Sequence, residues 1–514
     1  MDEIMRNPLR PIKRLSRVHA SIETTVCLLL VTSQLSAQSG ETKLFPLDGA
    51  ADDHFGQSVA VSDGFAVIGS PEDDDSGLNS GSAYVFEWDG SAWLQEPKLL
   101  ASDGAAGDLF GSAVDVNGNR AIVGASGVGA DRGAAYIYRS DGSTWTEEAI
   151  LIPSNGAGGD YFGSSVSIDG IFAIVGAYAP SSASGAVYVF RRTGAIWDEV
   201  AVLTASDGSA SDYFGVSVSL NGNYALVGAW WDDDNGLNSG SAYVFRYDGF
   251  VWSETAKLIA ADGATDDYFG FSVSISGILA LIGSYGDDDG GSGSGSAYIF
   301  RRMGTDWVEE AKLNASDAAS SDFFGYSVEL DGEYALVGSP FDDDRGGSSG
   351  AAYLFYLDNS DWRERRKFVA ADGSESDNLG LAVALSDSFA IAGAHNDDPA
   401  GSGSGSAYVH SGFGVVTSVV AGGDAYPSDS ELLQNYPNPF NSISNFEFGI
   451  AKLGDVSLKV FDILGREVAT IVNEKLSPGA YTRQWDAAGL SSGVYYYRLA
   501  ADGFVQTKRL VLLR

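Results

Sequence analysis

The dipeptide Phe-Gly recurs along this chain at a nearly constant interval of 52 or 55 residues. The repeated phenylalanines are Phe55, Phe110, Phe162, Phe214, Phe269 and Phe324, and Leu379 stands at the same position of a seventh, degenerate copy. A constant period of this length indicates one supersecondary unit that is copied around a ring or along a stack. The repeat therefore predicts an architecture, but it names neither a ligand nor a reaction.

Each copy contains four short runs in which apolar and polar residues alternate. In the unit that begins at Phe269 these runs are FGFSVSI, LALIGSY, SAYIF and WVEEAKL, and residues rich in Gly, Asp and Ser separate them. Alternation with a period of two predicts antiparallel strands joined by turns, and no segment shows a sustained helical period. Seven units of four strands predict an all-β fold, a seven-bladed β-propeller.

The seventh unit has sequence for only three strands, and the missing fourth strand lies at the other end of the chain. The segment TKLFPLDGAADDHFG, from Thr42, matches AKLIAADGATDDYFG, from Ala256. An open sheet edge is free to pair with other chains. We therefore expect the N-terminal segment to complete the last blade and to close the ring.

The order Phe-Gly, Ser-Val, Val-Gly-Ala and Gly-Ser-Ala-Tyr-Val-Phe within the units resembles the FG-GAP repeat of integrin-α-type propellers, over roughly residues 41–412. Integrin-type repeats often carry a calcium loop between the first and second strands. Here that connection is a hairpin turn such as Asn117-Gly118-Asn119, which is too short to supply the roughly six to eight oxygens that calcium takes. The calcium site of that family is therefore not transferred to these turns.

The aspartates are concentrated instead between the second and third strands, where most units carry two or three in a row. In an up-and-down blade this loop and the inter-blade loop emerge on the same face, so one face of the disc should be acidic. Three interpretations stay open for that face: solvated turns, Ca²⁺ or another divalent cation shared between loops, and a docking surface for a cationic protein or a glycan. The candidate metal ligands are Asp73, Asp75, Asp232, Asp234, Asp287, Asp289, Asp342 and Asp344.

The net charge of −38 is unevenly distributed. Residues 1–37 carry +2 and the chain from residue 426 onward is neutral, which leaves −40 for residues 38–426. This charge argues against nucleic acid and anionic membrane surfaces as partners.

Residues 1–37 have the pattern of an export signal, with a basic region, an apolar run over residues 26–31 and a small-residue cleavage site at Leu35-Ser36-Ala37. The apolar run is too short to span a bilayer, so no transmembrane segment is expected. The only cysteine, Cys27, lies in this signal, so the mature chain needs no disulfide.

The end of the chain differs in character from the repeats. After a linker at residues 413–430, alternating apolar residues predict a small Ig-like β-sandwich of about seven strands over residues 431–514. Four motifs in it resemble the type A sorting domain of type IX secretion: YPNPF at 436–440, DILGREV at 462–468, WD at 485–486 and SGVYYYRL at 492–499. The resemblance implies type IX machinery as a partner and export across the outer membrane of a Gram-negative cell, followed by release or surface attachment.

Catalytic patterns are weak. The four histidines, His19, His54, His395 and His410, show no metal-binding spacing, and no Gly-x-Ser-x-Gly elbow is set between a strand and a helix. We therefore expect no enzyme activity, although paired carboxylates in a central channel would be compatible with a hydrolase or lyase.

A tryptophan recurs at the start of the fourth strand, and packing is the expected role, with an aromatic ligand platform as the alternative. These residues are Trp93, Trp145, Trp197, Trp252, Trp307 and Trp362.

Taken together, the sequence predicts an export signal (1–37), a propeller (38–412), a linker (413–430) and a sorting domain (431–514). The favoured function is a secreted or surface-displayed binding or adhesion propeller. The alternative is a calcium-stabilised structural component of the cell surface or matrix, and a polysaccharide-active enzyme is third.

Overall fold

A computed structural model of the protein describes residues 40–178, 184–358, 361–386, 388–412, 431–432, 443–450, 452, 454–476, 479–487, 490–501 and 504–512. The predicted export signal, the linker at 413–430 and the YPNPF motif at 436–440 lie outside the described residues.

Seven four-stranded antiparallel sheets make up the repeat region, as the sequence predicts. In blades 1 to 3 the strands are β2 (Ser58–Ser62), β3 (Phe65–Ser70), β4 (Ser82–Trp88), β5 (Trp93–Gln95), β6 (Phe110–Asn117), β7 (Arg120–Ala125), β8 (Ala134–Ser140), β9 (Trp145–Leu151), β10 (Ser165–Asp169), β11 (Phe172–Ala177), β12 (Ala186–Thr193) and β13 (Ile196–Leu203). In blades 4 to 6 they are β14 (Val218–Asn221), β15 (Tyr224–Ala229), β16 (Ser241–Tyr247), β17 (Trp252–Leu258), β18 (Val273–Ser276), β19 (Leu279–Ser284), β20 (Ser296–Met303), β21 (Asp306–Leu313), β22 (Ser327–Asp331), β23 (Tyr334–Ser339), β24 (Ala351–Asp358) and β25 (Asp361–Phe368). A four-residue turn, α1 (Val128–Asp131), in which Gly129 and Ala130 have φ values of +62° and +60°, lies in the loop between β7 and β8.

Blade 7 joins the two ends of the repeat region. Its strands are β26 (Val383–Leu385), β27 (Phe389–Ala394), β28 (Ser406–Ser411) and the N-terminal β1 (Glu41–Leu44). Strand β1 pairs antiparallel with β28, and Glu41 is aligned with His410. The predicted closure of the ring by the N-terminal segment is confirmed.

The apolar cores lie between neighbouring blades. The phenylalanine of each Phe-Gly dipeptide is buried in one of these cores, at or just before the start of the first strand. Phe324 is fully buried between blades 5 and 6, with its ring 5.4 Å from that of Tyr353. The following Gly325 has a φ of +90°, and a Cβ atom there would lie 2.2 Å from the carbonyl oxygen of Ser296 in the preceding blade. Only glycine tolerates both the positive φ and this close approach. The repeat therefore preserves the dipeptide because it sets the contact between blades.

The first strand of each blade is the innermost, because it contacts the first strands of both neighbouring blades. These strands enclose a central channel. The turn that follows each first strand is short: β6 ends at Asn117 and β7 begins at Arg120, with Gly118 at a φ of +58°. The predicted hairpin turns are thus confirmed at these positions.

The C-terminal region forms two sheets over one core. Its strands are β29 (Glu431–Leu432), β30 (Ile443–Ile450), β31 (Gly454–Phe461), β32 (Glu467–Leu476), β33 (Gly479–Asp486), β34 (Gly493–Ala501) and β35 (Phe504–Leu512). The sheet orders are β29-β30-β33 and β32-β31-β34-β35. Phe446 of the first sheet and Tyr497 of the second are both fully buried, with ring centroids 4.8 Å apart. This is a two-sheet sandwich, and its Ig-like classification stays a prediction.

Candidate functional site

Two sets of loops meet on one face of the propeller, which we call the loop face: the loops between second and third strands and the loops that link successive blades. In blade 4, Nζ of Lys257 lies 2.9 Å from Asp207 of the inter-blade loop and 2.9 Å from Asp232 of the second-to-third loop. Asp234 also pairs with Lys257. The expectation that both acidic loops share one face is confirmed. The opposite face, formed by the two hairpin turns of each blade, is called the turn face.

Blade 5 shows most fully how these loops are held. Nζ of Lys312 lies 2.8 Å from Asp262, 2.8 Å from Asp287 and 2.6 Å from Asp289. The hydroxyl of Tyr298 lies 2.9 Å from both Asp262 and Asp287 and donates its proton to this pair. The three N–H groups of one ammonium are thereby all used by carboxylates. We call this arrangement of a lysine, a tyrosine and two or three aspartates a lysine cluster.

The proton affinities in this cluster follow from its geometry. Burial disfavours the charged form of Lys312, but hydrogen bonds to three carboxylates outweigh it, so the pKa of Lys312 is raised above its ordinary value. Burial, and then the charge of Asp287, raise the pKa of Tyr298. Burial acts to raise the pKa of Asp262, but the hydrogen bonds from Lys312 and Tyr298 lower it overall. The lysine therefore stays charged and the tyrosine stays protonated at physiological pH.

Four other blades repeat the cluster with the same residue types in the same places. The members are Lys98 with Asp48, Asp73 and Asp75; Lys257 with Asp207, Asp232 and Asp234; Lys367 with Asp317, Asp342 and Asp344; and Lys43 with Asp372 and Asp397.

All eight candidate metal ligands belong to these clusters, so the structure brings them together in four pairs, one pair per blade. The sequence interpretation missed the lysine that lies among them. The signal was present: in the units that carry the aspartate run, a lysine stands directly before the leucine or phenylalanine that ends the fourth apolar run of the sequence.

Many of the loop-face aspartates outside the lysine clusters accept hydrogen bonds from backbone N–H groups. Asp267 accepts the N–H of Ala264 at 2.6 Å, and Asp288 accepts the N–H of Gly293 at 2.7 Å. Other blades use equivalent aspartates in the same way, as when Asp53 accepts the N–H of Ala50 at 2.6 Å. Such bonds fix the conformation of turns. A large part of the acidity of the loop face therefore serves the loops themselves.

A continuous band of aromatic rings crosses the loop face of blades 3 to 6, and we call it the aromatic arc. Its rings come from the residue before Phe-Gly, the residue after it, and the residues just after the second strand. The members are Tyr161, Tyr178, Tyr213, Trp230, Trp231, Tyr268, Phe271, Tyr285, Phe323, Tyr326 and Phe341. Each of these side chains is half-buried, so the arc presents ring surface to solvent.

The rings of the arc are in contact from end to end. Tyr161 and Tyr178 stack with centroids 5.3 Å apart, and Tyr268 and Tyr285 stack at 5.0 Å. Edge-on and tilted contacts join these pairs into one series that ends with Phe341, 5.2 Å from Phe323. Each ring of the arc therefore packs against at least one neighbouring ring. Contiguous apolar patches with polar edges are typical of interaction sites.

A cavity of about 320 Å³ adjoins the arc at blade 4. Trp231 forms one wall, and Asp207, Asp233 and Asn238 supply oxygen and nitrogen atoms around it. An aromatic wall with a few polar groups is the usual composition of a small-molecule site.

The tryptophans at the start of the fourth strands lie elsewhere, as packing residues between blades. Trp145 meets Phe65 of the neighbouring blade edge-on at 5.4 Å, and Trp93 meets Phe389 at 4.8 Å. Trp93 and Trp197 are buried. The packing interpretation is confirmed, and the aromatic surface of the loop face is built from other residues.

The central channel contains a second cavity, of about 570 Å³, that is lined by first strands and by turn residues such as Asp63 and Asn221. It opens toward the turn face. One equivalent position per blade, in the first strand, forms a ring of residues that we call the channel ring: Ala60, Asp115, Ser167, Ser219, Ser274, Glu329 and Ala384, all of which except Ser274 line the cavity.

The ring residues join blade to blade. Ser219 Oγ accepts the N–H of Ile275 at 3.1 Å, and Asp115 accepts the N–H of Ile168 at 2.7 Å. Burial raises the pKa of Asp115 to about 6. Burial, and then the charge of Asp115, raise the pKa of Glu329 to about 8. Asp115 and Glu329 are thus two of the carboxylates in the channel, and their hydrogen bonds connect neighbouring blades.

Comparison with known proteins agrees with both halves of this description. A family model described as FG-GAP repeat matches residues 39–86, 93–138, 145–190, 197–245, 252–300, 307–355 and 362–410. A model described as secretion system C-terminal sorting domain matches residues 434–513. No curated protein matches the chain.

Three solved structures show low similarity to the chain in sequence and in TM-score. A chain from a study of two prolyl endopeptidases is 12% identical with a TM-score of 0.41, over 80% of this chain and 53% of that one. Sqt1 from Chaetomium thermophilum is 14% identical with a TM-score of 0.40, over 79% and 97%. The β-propeller domain of the Trilobed protease from Pyrococcus furiosus is 5% identical with a TM-score of 0.38, over 65% and 90%. The chain spans about half the length of the first of these.

The sorting domain indicates export by type IX secretion, with release from or attachment to the surface of a Gram-negative cell. The predicted localisation is thereby confirmed. Among the described residues, no helix has the length and apolar character needed to cross a membrane.

Proposed function

Because the chain belongs to the FG-GAP repeat family, we propose that its exported propeller is a binding module whose ligand lies across the aromatic arc. The arc is the observation that carries the proposal. Its half-buried rings form a supported apolar surface on the face where the loops emerge. Loops that a rigid scaffold positions are where proteins commonly place their binding residues.

The ligand class that fits this surface best is an uncharged or amine-bearing glycan. The flat C–H face of a sugar ring packs against aromatic rings, and its hydroxyl groups need nearby hydrogen-bond acceptors. Asp207, Asp233 and Asn238 line the cavity beside Trp231 and provide such acceptors. The charge of −40 on residues 38–426 repels polyanionic polysaccharides.

Isothermal titration of the full chain with neutral, amine-bearing and anionic oligosaccharides, and with a lysine-rich peptide, tests the proposal. We expect neutral or amine-bearing sugars to bind, and Trp231→Ala and Tyr285→Ala each to weaken binding about tenfold or more, because an anchoring aromatic is lost. Phe250→Ala is the matched control. Phe250 is 89% exposed in the turn between β16 and β17, on the turn face, and its removal should leave the affinity unchanged.

The outcomes separate the alternatives. If both arc variants bound the sugar as tightly as the wild type, the arc would not be the binding site. Selective binding of the lysine-rich peptide, lost in the arc variants, would keep the site and replace the glycan with a cationic protein. A preference for anionic polysaccharide would contradict the argument from charge.

A further inference from the structure

The resemblance to integrin-type propellers raises the question whether the loop-face aspartates hold calcium. Two groups bring three carboxylates within reach of one ion: Asp262, Asp287 and Asp289 in blade 5, and Asp317, Asp342 and Asp344 in blade 6. In both groups, however, a lysine ammonium lies among the same oxygens, at 2.6–2.8 Å. Calcium takes roughly six to eight oxygens at about 2.3–2.6 Å, and it could gather these carboxylates only by displacing the lysine.

We propose that each lysine cluster is a cation site closed by the protein's own lysine, and that the propeller does not take up calcium there. The ammonium performs the task that a bound ion would perform. It neutralises part of the charge of two loops that would otherwise repel each other, and it ties them to the fourth strand.

The buried aspartate of the cluster has no acceptor site left for a metal. In blade 5, Oδ1 of Asp287 accepts the backbone N–H of Asp289 at 3.1 Å and the hydroxyl of Ser296 at 2.9 Å. Its Oδ2 accepts Tyr298 at 2.9 Å and Lys312 at 2.8 Å. A carboxylate offers about four lone-pair positions, and all of them are used. The residue is only 3% exposed, so this saturation is what permits its burial.

The seven repeats contain their own control, because two blades lack the lysine. Ile150 in blade 2 and Val202 in blade 3 stand at the lysine position, directly before the last residue of the fourth strand. Neither of these blades has the aspartate run after its second strand. In blade 3 the tyrosine of the cluster, Tyr188, bonds to the neutral amide of Asn155 at 2.7 Å. Lysine and aspartate run are thus gained or lost together, as expected if the lysine is the counter-ion of these loops.

The closing blade follows the same rule although its lysine comes from the other end of the chain. Lys43 of β1 lies 2.8 Å from Asp372 and 2.5 Å from Asp397. The hydroxyl of Tyr408 lies 2.7 Å from Asp372 and 3.0 Å from Asp397. The cluster therefore depends on the position of the lysine in the blade and not on the continuity of the chain within the blade.

The test is thermal unfolding of the full chain in excess chelator and then in millimolar calcium. For the wild type we expect the two Tm values to agree within ~1 °C, because a ligand stabilises a fold only where it binds the folded state. For Lys312→Met we expect the Tm in chelator to fall by ~5 °C or more, since removing one partner leaves buried charge unpaired. Calcium should restore part of that loss by entering the vacated carboxylates. Val202→Met, at the same position in blade 3, is the matched control and should respond to neither treatment.

Several results would overturn the proposal. A clear rise of the wild-type Tm with calcium would show that the sites are open to the ion. If Lys312→Met were as stable as the wild type, the lysine would not be needed to neutralise the loop aspartates. A destabilised Lys312→Met chain that calcium does not stabilise would show that ammonium and calcium do not compete for these oxygens. The wild-type measurement stands even if the variant fails to fold.

Discussion

At the scale of single residues, the loop face depends on buried carboxylates that would be costly without partners. Asp232, Asp287 and Asp342 are each 3% exposed. Each accepts one hydrogen bond from the hydroxyl of a third-strand tyrosine and one from the ammonium of a lysine. Burying an ionised group is tolerated only when it is paired and hydrogen-bonded. The tyrosine is therefore a structural member of the cluster.

We expect Tyr298→Phe to lower the free energy of unfolding by about 1.5–3 kcal/mol, because the lost hydroxyl donates to charged acceptors. Tyr188→Phe is the control, since Tyr188 donates to the neutral Asn155, and should cost about 0.5–1.5 kcal/mol. Urea unfolding of the two variants and the wild type measures the difference. Equal losses in both variants would show that the charge of the acceptors adds nothing.

Single residues were also where sequence interpretation was least complete. The aspartates are conspicuous because they stand in a row, whereas Lys312 is one residue in an alternating strand, about 25 positions away from them. Only pairing in the sheet brings its side chain back to the loop. The aromatic arc was missed for a similar reason: its members come from three separate positions in four different repeats, and no local pattern connects Tyr213 with Trp230 and Tyr268.

At the scale of elements, the strand pattern was predictable because each unit carries its own turn chemistry and apolar alternation. The closure by β1 was predictable because the N-terminal segment repeats the sequence of the other fourth strands. Strand β1 contributes more to blade 7 than its four paired residues, because it also places Lys43 beside the aspartates of the blade.

Deleting residues 41–47 should open the ring and lower the Tm by ~10 °C or more, because blade 7 loses a strand, a lysine cluster and the side chain of Leu44 from the core that it shares with blade 1. Lys43→Met is the graded control: it keeps the strand, removes the ion pairs, and should cost clearly less. Calorimetry measures both changes, and size-exclusion chromatography detects association through the exposed edge of β28. An unchanged Tm in the deletion would refute the importance of this closure.

At the scale of the whole molecule, the channel is a property of the closed ring and of no single blade. Asp115 belongs to blade 2 and Glu329 to blade 6, yet the charge of Asp115 helps to raise the pKa of Glu329. The sequence analysis allowed for paired carboxylates in the channel but did not identify them. Which carboxylates come close to each other across the channel depends on the number of blades, and no local sequence pattern specifies that.

The raised pKa of Glu329 makes a pH dependence testable. Its pKa is about 8 in the folded state against 4.5 as the ordinary value. Between these values the folded state holds a proton that the unfolded state has released, so stability falls as the pH rises through this window. Glu329→Gln removes this term. We expect its Tm to match the wild type near pH 5 and to exceed it by ~2–5 °C near pH 8.5.

The control for this series is Glu333→Gln, at an exposed position in the following turn, which should not change the pH profile. Parallel curves for Glu329→Gln and the wild type across the whole range would mean that Glu329 is ionised normally in the folded protein.

The pairing of Glu41 with His410 also sets an order in time. The two residues are 369 positions apart, so at about 5–20 residues per second the ribosome needs roughly 20 to 75 s to make the partner of a strand that it finished near the start. During that interval blades 1 to 6 can each form from contiguous sequence, while the first strand waits. Completion of the ring thus reports that the whole repeat array has been synthesised, and a truncated chain remains recognisably unfinished.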